Sequence, residues 1–419
     1  MEIGQHIERT DRVGRKGAGF SLRAEDVFYR LLDECVTGGR VRVVTDTSDR
    51  VLGDPSSEHG KRSAAVGIRV SNPRFFSAVL SHGNLGLGES FMDRYFEMEE
   101  GELSDLLRIL IRARIDGKLE HRFPLLLTLG ALRVAHVFQG KKRNIFAHYD
   151  NREELFDSFL DSTMTYSCGY ARSPDDDLEA LQENKRVRIC EKLRLEPGSR
   201  LLDIGCGYGS MLIHAAKHYG ASGLGVTLGE DHYKRGNEAI QRAGLAGRVR
   251  IELMDFAKVR GRFDRVVSVG MFEHVPRPEY GQFFGTISDV LTDDGIALVH
   301  AISCNTRENK HDPFTQKYIF PGSNQPKLSE ISHHIEQRKM AILDVENIVR
   351  HYALTCSRWL ERFSDSRDAL ARKGYDDRTL RMWEYYLSCG IAAALESDSA
   401  VFQVLFAKDP GTFMPLKRV

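Results

Sequence analysis

The sequence predicts an α/β chain in which a doubly wound parallel sheet follows a smaller α+β domain, and three observations carry that prediction. From about residue 200 onward, short apolar runs alternate with helix-like segments, the pattern of parallel strands covered by helices. One run, Arg-Leu-Leu-Asp-Ile at 200–204, passes directly into Gly205-Cys-Gly207-Tyr-Gly209, a sharp turn at which a ligand can touch the backbone. The 419 residues, 42% of them hydrophobic, exceed what one core ordinarily holds and supply apolar material for two.

Residues 1–137 are assigned to the first domain, 138–145 to a linker and 146–419 to the second domain. In the first, 26–35, 74–81 and 104–114 read as helices and 40–45 and 64–70 as short strands. Between Gly101 and Arg143 nine Lys or Arg stand against four Asp or Glu, ending in Lys141-Lys142-Arg143. That bias suits an anionic bilayer surface and, equally, a solvated basic linker. In the second domain, 200–204, 223–227, 249–253, 264–269 and 295–302 read as strands, with helices at 210–219, 231–243 and 279–291. Ligands of such sheets collect beyond the carboxyl ends of the strands, where Asp203, Thr227, Asp255, Glu273 and His300 fall.

The glycine spacing is Gly-x-Gly-x-Gly rather than the dinucleotide Gly-x-Gly-x-x-Gly, so a pyrophosphate cradle is not expected. Where nucleoside sites often carry an acid for the ribose, Thr227 ends the second strand and the acids come later, at Glu230 and Asp231. Lys plus Arg and Asp plus Glu both number 59, and a chain of zero net charge is a poor bulk partner for nucleic acid. Seven cysteines without a Cys-x-x-Cys pair fit a reducing compartment and offer no zinc site, so no metal is expected. The first sixteen residues are charged, and no apolar run reaches the length of a membrane span.

The motifs Tyr166-Ser-Cys168-Gly-Tyr170, Leu202–Gly209, Gly225-Val-Thr227-Leu228, Val269-Gly-Met-Phe-Glu273-His-Val275 and Lys317-Tyr-Ile-Phe-Pro-Gly322 occur in one order. Together they resemble the cyclopropane-fatty-acyl-phospholipid synthase family, from about residue 145 to the end and upstream into 83–93. The resemblance implies a class I methyltransferase fold preceded by a sterol-carrier-like, lipid-binding first domain. It implies methyl transfer from S-adenosylmethionine to the double bond of an unsaturated acyl chain in a membrane phospholipid, closing a cyclopropane ring or leaving a methyl or methylene branch. An isolated alkene is a weak nucleophile, so alignment and exclusion of water matter more than a strong base. By the same resemblance, cofactor contacts fall on Tyr166, Ser167, Asp203, Gly205, Gly207, Gly209, Thr227, Leu228, His232, Asp255 and Phe256. A bicarbonate ion, the proton acceptor, falls to Glu273, His300 and Tyr352 with the backbone at Cys168 and Ile302. The partner is then an unsaturated phospholipid, the place a cytoplasmic one against the inner membrane face, and a homodimer stays open.

Each residue also has a plainer reading. Glu273 can serve a helix dipole, His300 can be a hydrogen-bonded histidine under a loop, and Tyr352 can pack in the core. Cys168 lacks a paired base and is not expected to be a nucleophile. Three departures from the family pattern stand out: Ala171 in place of an aromatic residue, Tyr208 in place of Trp, and His232 in place of Gln. At 151–156 the sequence differs again, although Phe156 keeps an aromatic wall. A methyltransferase for a soluble acceptor and a non-catalytic lipid binder remain alternatives. The polar set argues against the binder, which needs no such groups in an apolar cavity.

Overall fold

The computed structural model describes residues 23–54, 64–115, 152–306, 311–409 and 411–412. The expected linker at 138–145 and the basic cluster Lys141-Lys142-Arg143 lie outside them.

The first part of the chain is built on a four-stranded sheet of order β2-β1-β3-β4, from β1 (Gly39–Val44), β2 (Asp49–Leu52), β3 (Ala64–Val70) and β4 (Phe96–Glu100). β1 and β3 are parallel and the outer pairings antiparallel. Helix α1 (Ala24–Cys35) buries Val27, Phe28, Leu31 and Leu32, neighbours on one helical face. α2 (Arg74–His82), α3 (Asn84–Met92) and α4 (Leu103–Arg112) complete this part. The expected helices and strands are present, and β2, β4 and α3 are additional. β2 is exposed along most of its length, which leaves no apolar alternation to read.

The second part contains α5 (Arg152–Phe159), α6 (Leu178–Lys192), β5 (Arg200–Ile204), α7 (Ser210–Tyr219), β6 (Ser222–Thr227), α8 (Glu230–Arg242) and β7 (Val249–Leu253). It continues through β8 (Phe263–Val269), α9 (Tyr280–Val290), β9 (Leu291–Cys304), α10 (Pro313–Tyr318) and α11 (Leu328–Gln337). β10 (Ala341–Asn347), α12 (Val349–Arg372), α13 (Asp377–Glu396) and β11 (Ser399–Ala407) follow. The seven strands lie in the order β10-β11-β9-β8-β5-β6-β7. The five strands read from the sequence pair in parallel. The sheet as a whole is mixed, because β11 inserts antiparallel between β9 and β10.

One apolar core crosses from the first part into the second: Phe28, Phe75 and Phe96 belong to the same cluster as Trp359, Trp383 and Tyr385. Gly88 of α3 makes the approach close, since a Cβ there would stand 2.4 Å from Phe314 and 2.7 Å from Tyr385. Charged pairs border the contact. Arg94 forks onto Asp377 with two 2.9 Å bonds, and the buried Arg381 donates to the Phe91 carbonyl at 2.6 Å and to Glu97 at 3.0 Å.

Candidate functional site

The turn after β5 takes left-handed backbone at each glycine, with φ of +78° at Gly205, +51° at Gly207 and +80° at Gly209. The amides of Gly205 and Cys206 bond back to the Val226 carbonyl at 2.9 and 3.2 Å, so β6 holds the turn open toward the carboxyl edge. The three glycines have different surroundings. A Cβ at Gly205 would meet Met271 and one at Gly209 would meet Ile251, but one at Gly207 would find nothing within 4 Å. That open space is a cradle a ligand can fill.

Around it stand the other expected cofactor contacts. Tyr208 donates to Asp231 at 2.8 Å, meets the His232 ring edge-on at 4.7 Å and lies under Arg235. Thr227 is buried and its hydroxyl accepts from the Gly229 amide at 3.2 Å. Leu228 is 74% exposed at the cavity wall, an unusual position for a leucine unless a flat apolar group covers it. Asp255 caps the short turn Phe256–Lys258 through the Ala257 amide, and Phe256 packs edge-on against Phe283. Burial pushes the Asp203 carboxyl up to about 7, against the pull of Lys185.

Glu273 lies in a single turn, Phe272–His274, after β8, and is pinned from two sides. Its Oε1 accepts the Ile302 amide at 2.5 Å, and its carbonyl accepts the Asn324 amide at 2.9 Å. Its Oε2 is buried without a partner, and so is Nε2 of His300 on β9. Burial pushes the Glu273 carboxyl up to about 7 and drives His300 well below its ordinary basicity, so the imidazole is neutral. Ile302 therefore enters the site through Glu273, since its amide is already engaged there. Tyr352, on α12, lines the same cavity, and burial holds its phenol protonated. Cys168 lies at the wall with its thiol pushed up to about 12 by burial, so it is no nucleophile at neutral pH.

Sequence reasoning overlooked several groups here. Lys185, 2% exposed, donates to the Ser167 hydroxyl at 2.7 Å, and Gln182 donates to the Ser167 carbonyl at 2.9 Å. Burial lowers the Lys185 ammonium to about 7. The signal was present: Gln182 and Lys185 interrupt the stripe that Leu178, Leu181 and Ile189 bury on α6. Tyr166 joins an aromatic wall with Phe156, Phe320 and Trp359, and its hydroxyl donates to Tyr386 at 3.2 Å. Ala171 is not part of the cavity wall; its amide donates to Nδ1 of His351, on which Tyr170 stacks.

Most of these groups, though not Gly209, Gln182 or Ala171, line one cavity of about 2450 Å³. Ordinary small-molecule sites occupy roughly 300–1,000 Å³, so this one has room for a second, larger ligand. From the glycine turn it passes Glu273 and His300 and reaches Phe28, Ile68, Phe75, Leu107 and Ile111 of the first part of the chain. Among the described residues, one group carries metal-ligating chemistry, Glu183, His214 and His218, with ligand atoms within 4.8 Å of one another. Arg186 already donates to the Glu183 carboxylate at 2.9 Å, and the three residues are not in the cavity wall. No helix among the described residues is long and apolar enough to cross a membrane.

A sequence profile described as mycolic acid cyclopropane synthetase matches residues 137–404. The chain is 38% identical over 349 residues to a cyclopropane-fatty-acyl-phospholipid synthase of Escherichia coli K12, covering 83% of this chain and 89% of that one. It is 34% identical over 322 residues to the tuberculostearic acid methyltransferase UfaA1 of Mycobacterium tuberculosis, covering 73% and 75%. Among solved structures it is similar to the mycolic acid cyclopropane synthase CmaA1 complexed with SAH and CTAB, with a TM-score of 0.58, 26% identity, and coverage of 64% of this chain and 99% of that one.

Proposed function

This chain belongs to the mycolic acid cyclopropane synthetase family and is an S-adenosylmethionine-dependent methyltransferase of lipid acyl chains, and on that footing we propose that it converts a cis double bond of an unsaturated phospholipid chain into a cyclopropane ring. The observation that carries the reading is the pair of unpartnered buried atoms, Glu273 Oε2 and His300 Nε2, in the wall of an apolar cavity that begins at the glycine turn. A cavity built only to hold lipid has no use for two desolvated polar atoms, each costly without a partner.

S-adenosylmethionine, when bound at the turn, supplies an electrophilic methyl group. Gly207 leaves space for it, Tyr208 and His232 wall one side, and Leu228 covers an apolar face. The apolar end of the cavity aligns the acyl chain and keeps water away from a reaction that water would quench. Tyr166, Phe320, Trp359 and Tyr386 present π-faces to positive charge that develops on the chain. His300, Tyr352 and Glu273, the last held by the Ile302 amide, would with the backbone at Cys168 hold a bicarbonate ion, and that ion would supply a proton acceptor. If the proton leaves the added methyl, its C–H electron pair closes the ring; if it leaves a neighbouring carbon, a branched olefin results.

The branched outcome is the second reading, and the M. tuberculosis relative, named a methyltransferase rather than a cyclopropane synthase, favours it. The substrate sits in a bilayer, so the protein works against the inner membrane face. The test is mass spectrometry of acyl chains after expression in a host without such modifications, with Glu273→Gln in parallel. The variant should lose roughly 10²–10⁴-fold in turnover while S-adenosylhomocysteine binding stays nearly intact. A fully active variant removes Glu273 from the mechanism.

A further inference from the structure

Three polar side chains stand abreast across the antiparallel edge of the large sheet. His300 on β9 is the direct register partner of Gln403 on β11, and Gln403 is the direct partner of Glu346 on β10. Direct partners in an antiparallel pair share a face, so the three form one row. Lys192, at the end of α6, reaches over that row: its Nζ donates to Gln403 Oε1 at 2.8 Å and to Glu346 Oε2 at 2.6 Å. Arg188, one turn earlier, clamps the same carboxylate at 2.8–3.0 Å. His300 is 1% exposed and Gln403 is fully buried, so neither of these two can turn to water for a substitute partner.

The chemistry of each atom then dictates the next. An ammonium only donates, so Lys192 fixes the carbonyl end of the Gln403 amide toward itself. The NH₂ end faces His300 Nδ1, 3.3 Å away. Nδ1 must accept, and the single proton of the neutral ring is left on Nε2, the atom without a partner in the cavity wall. Glu346 keeps Lys192 charged in its buried place, and Arg188 keeps Glu346 charged in turn.

We propose that Gln403, oriented by Lys192 and Glu346, is a positioning residue that fixes His300 as its Nε2–H tautomer, so that the imidazole offers the cavity a donor rather than a lone pair. The consequence for catalysis rests on the reading above, in which His300 helps to hold an anionic proton acceptor: an N–H attracts such an oxygen and a lone pair repels it. Gln403→Glu is the informative substitution. It keeps shape, places its new charge beside Lys192, and turns the contact around, because a carboxylate accepts from Nδ1–H and leaves the lone pair on Nε2.

The experiment is ¹⁵N NMR of histidine-labelled full-length protein, with His300→Asn to assign the His300 ring. The wild type should show a single Nε2–H tautomer, and Gln403→Glu should show Nδ1–H. The KM for bicarbonate should rise roughly tenfold or more with S-adenosylhomocysteine binding unchanged, as expected for one charge-assisted hydrogen bond lost. A wild-type Nδ1–H tautomer, or a tautomer indifferent to Gln403→Glu, overturns the proposal. A switched tautomer with unchanged bicarbonate dependence upholds Gln403 as the positioning residue and removes His300 from the anion site. If Gln403→Glu does not fold, Lys192→Met carries the test, since it removes the fixed donor and leaves Glu346 with Arg188; it should give mixed tautomers, and one unchanged tautomer overturns the proposal.

Discussion

The Ser167 hydroxyl accepts a 2.7 Å hydrogen bond from the buried ammonium of Lys185, and that bond ties α6 to the segment that forms one side of the cavity. A desolvated amine beside Asp203, at the wall proposed above to receive the cofactor, is placed for recognition as well as for packing. Lys185→Met should weaken S-adenosylhomocysteine binding by about tenfold or more in calorimetry. Unchanged affinity in a folded variant would assign Lys185 to the packing of α6 alone.

Gly207 separates backbone strain from ligand exclusion. An added side chain meets no protein atom within 4 Å, so the damage to the free protein is the left-handed backbone at φ +51°, about 1–2 kcal/mol. Gly207→Val should therefore melt only slightly below the wild type yet give no binding heat with S-adenosylmethionine. A folded variant that binds normally would remove the turn from the cofactor site.

Glu273 also predicts a pH dependence of stability. Its carboxyl is raised in the folded protein, from an ordinary 4.5 to about 7, so the folded state holds the proton more tightly than the unfolded state. The contribution is complete below pH 4.5 and is lost as the pH rises through 7. Relative to wild type, Glu273→Gln should gain stability between those values and level off above. Melting curves at intervals from pH 4.5 to 8 check this, and a constant difference across the range would place a charged carboxylate there throughout.

Ala171 is the departure that the geometry relieves of consequence. Its amide holds His351 while the cavity wall is made by other residues, among them Tyr166 and Trp359. Ala171→Trp should leave the ratio of ring to branched product unchanged in gas chromatography with mass spectrometry. A shifted ratio would show that this position steers the cation after all.

Much of this molecule was legible before the fold was known, and the limits have physical causes. The five parallel strands show as apolar runs because both faces of each are covered. The glycine turn shows because left-handed backbone restricts residue choice. Lys185 was missed because burial of a lysine is read from its neighbours on a helix, not from the residue. Gln403 was missed because its meaning lies in register: only the pairing of β9, β11 and β10 sets it between His300 and Glu346, and those strands come from segments about a hundred residues apart in part. The orphaned oxygen of Glu273 is likewise a property of the assembled cavity, invisible until its walls are in place.

The apolar core that runs from Phe28 and Phe96 to Trp359 and Trp383 bears on cooperativity. Two bodies joined only by a linker can open independently, but here neither side can leave without exposing aromatic rings of the other to water. Arg381, whose guanidinium is satisfied by the Phe91 carbonyl and Glu97, would lose its partners in the same event. The chain should melt in a single transition, and the described residues 23–54 and 64–115 are less an attachment to the catalytic part than a portion of its interior.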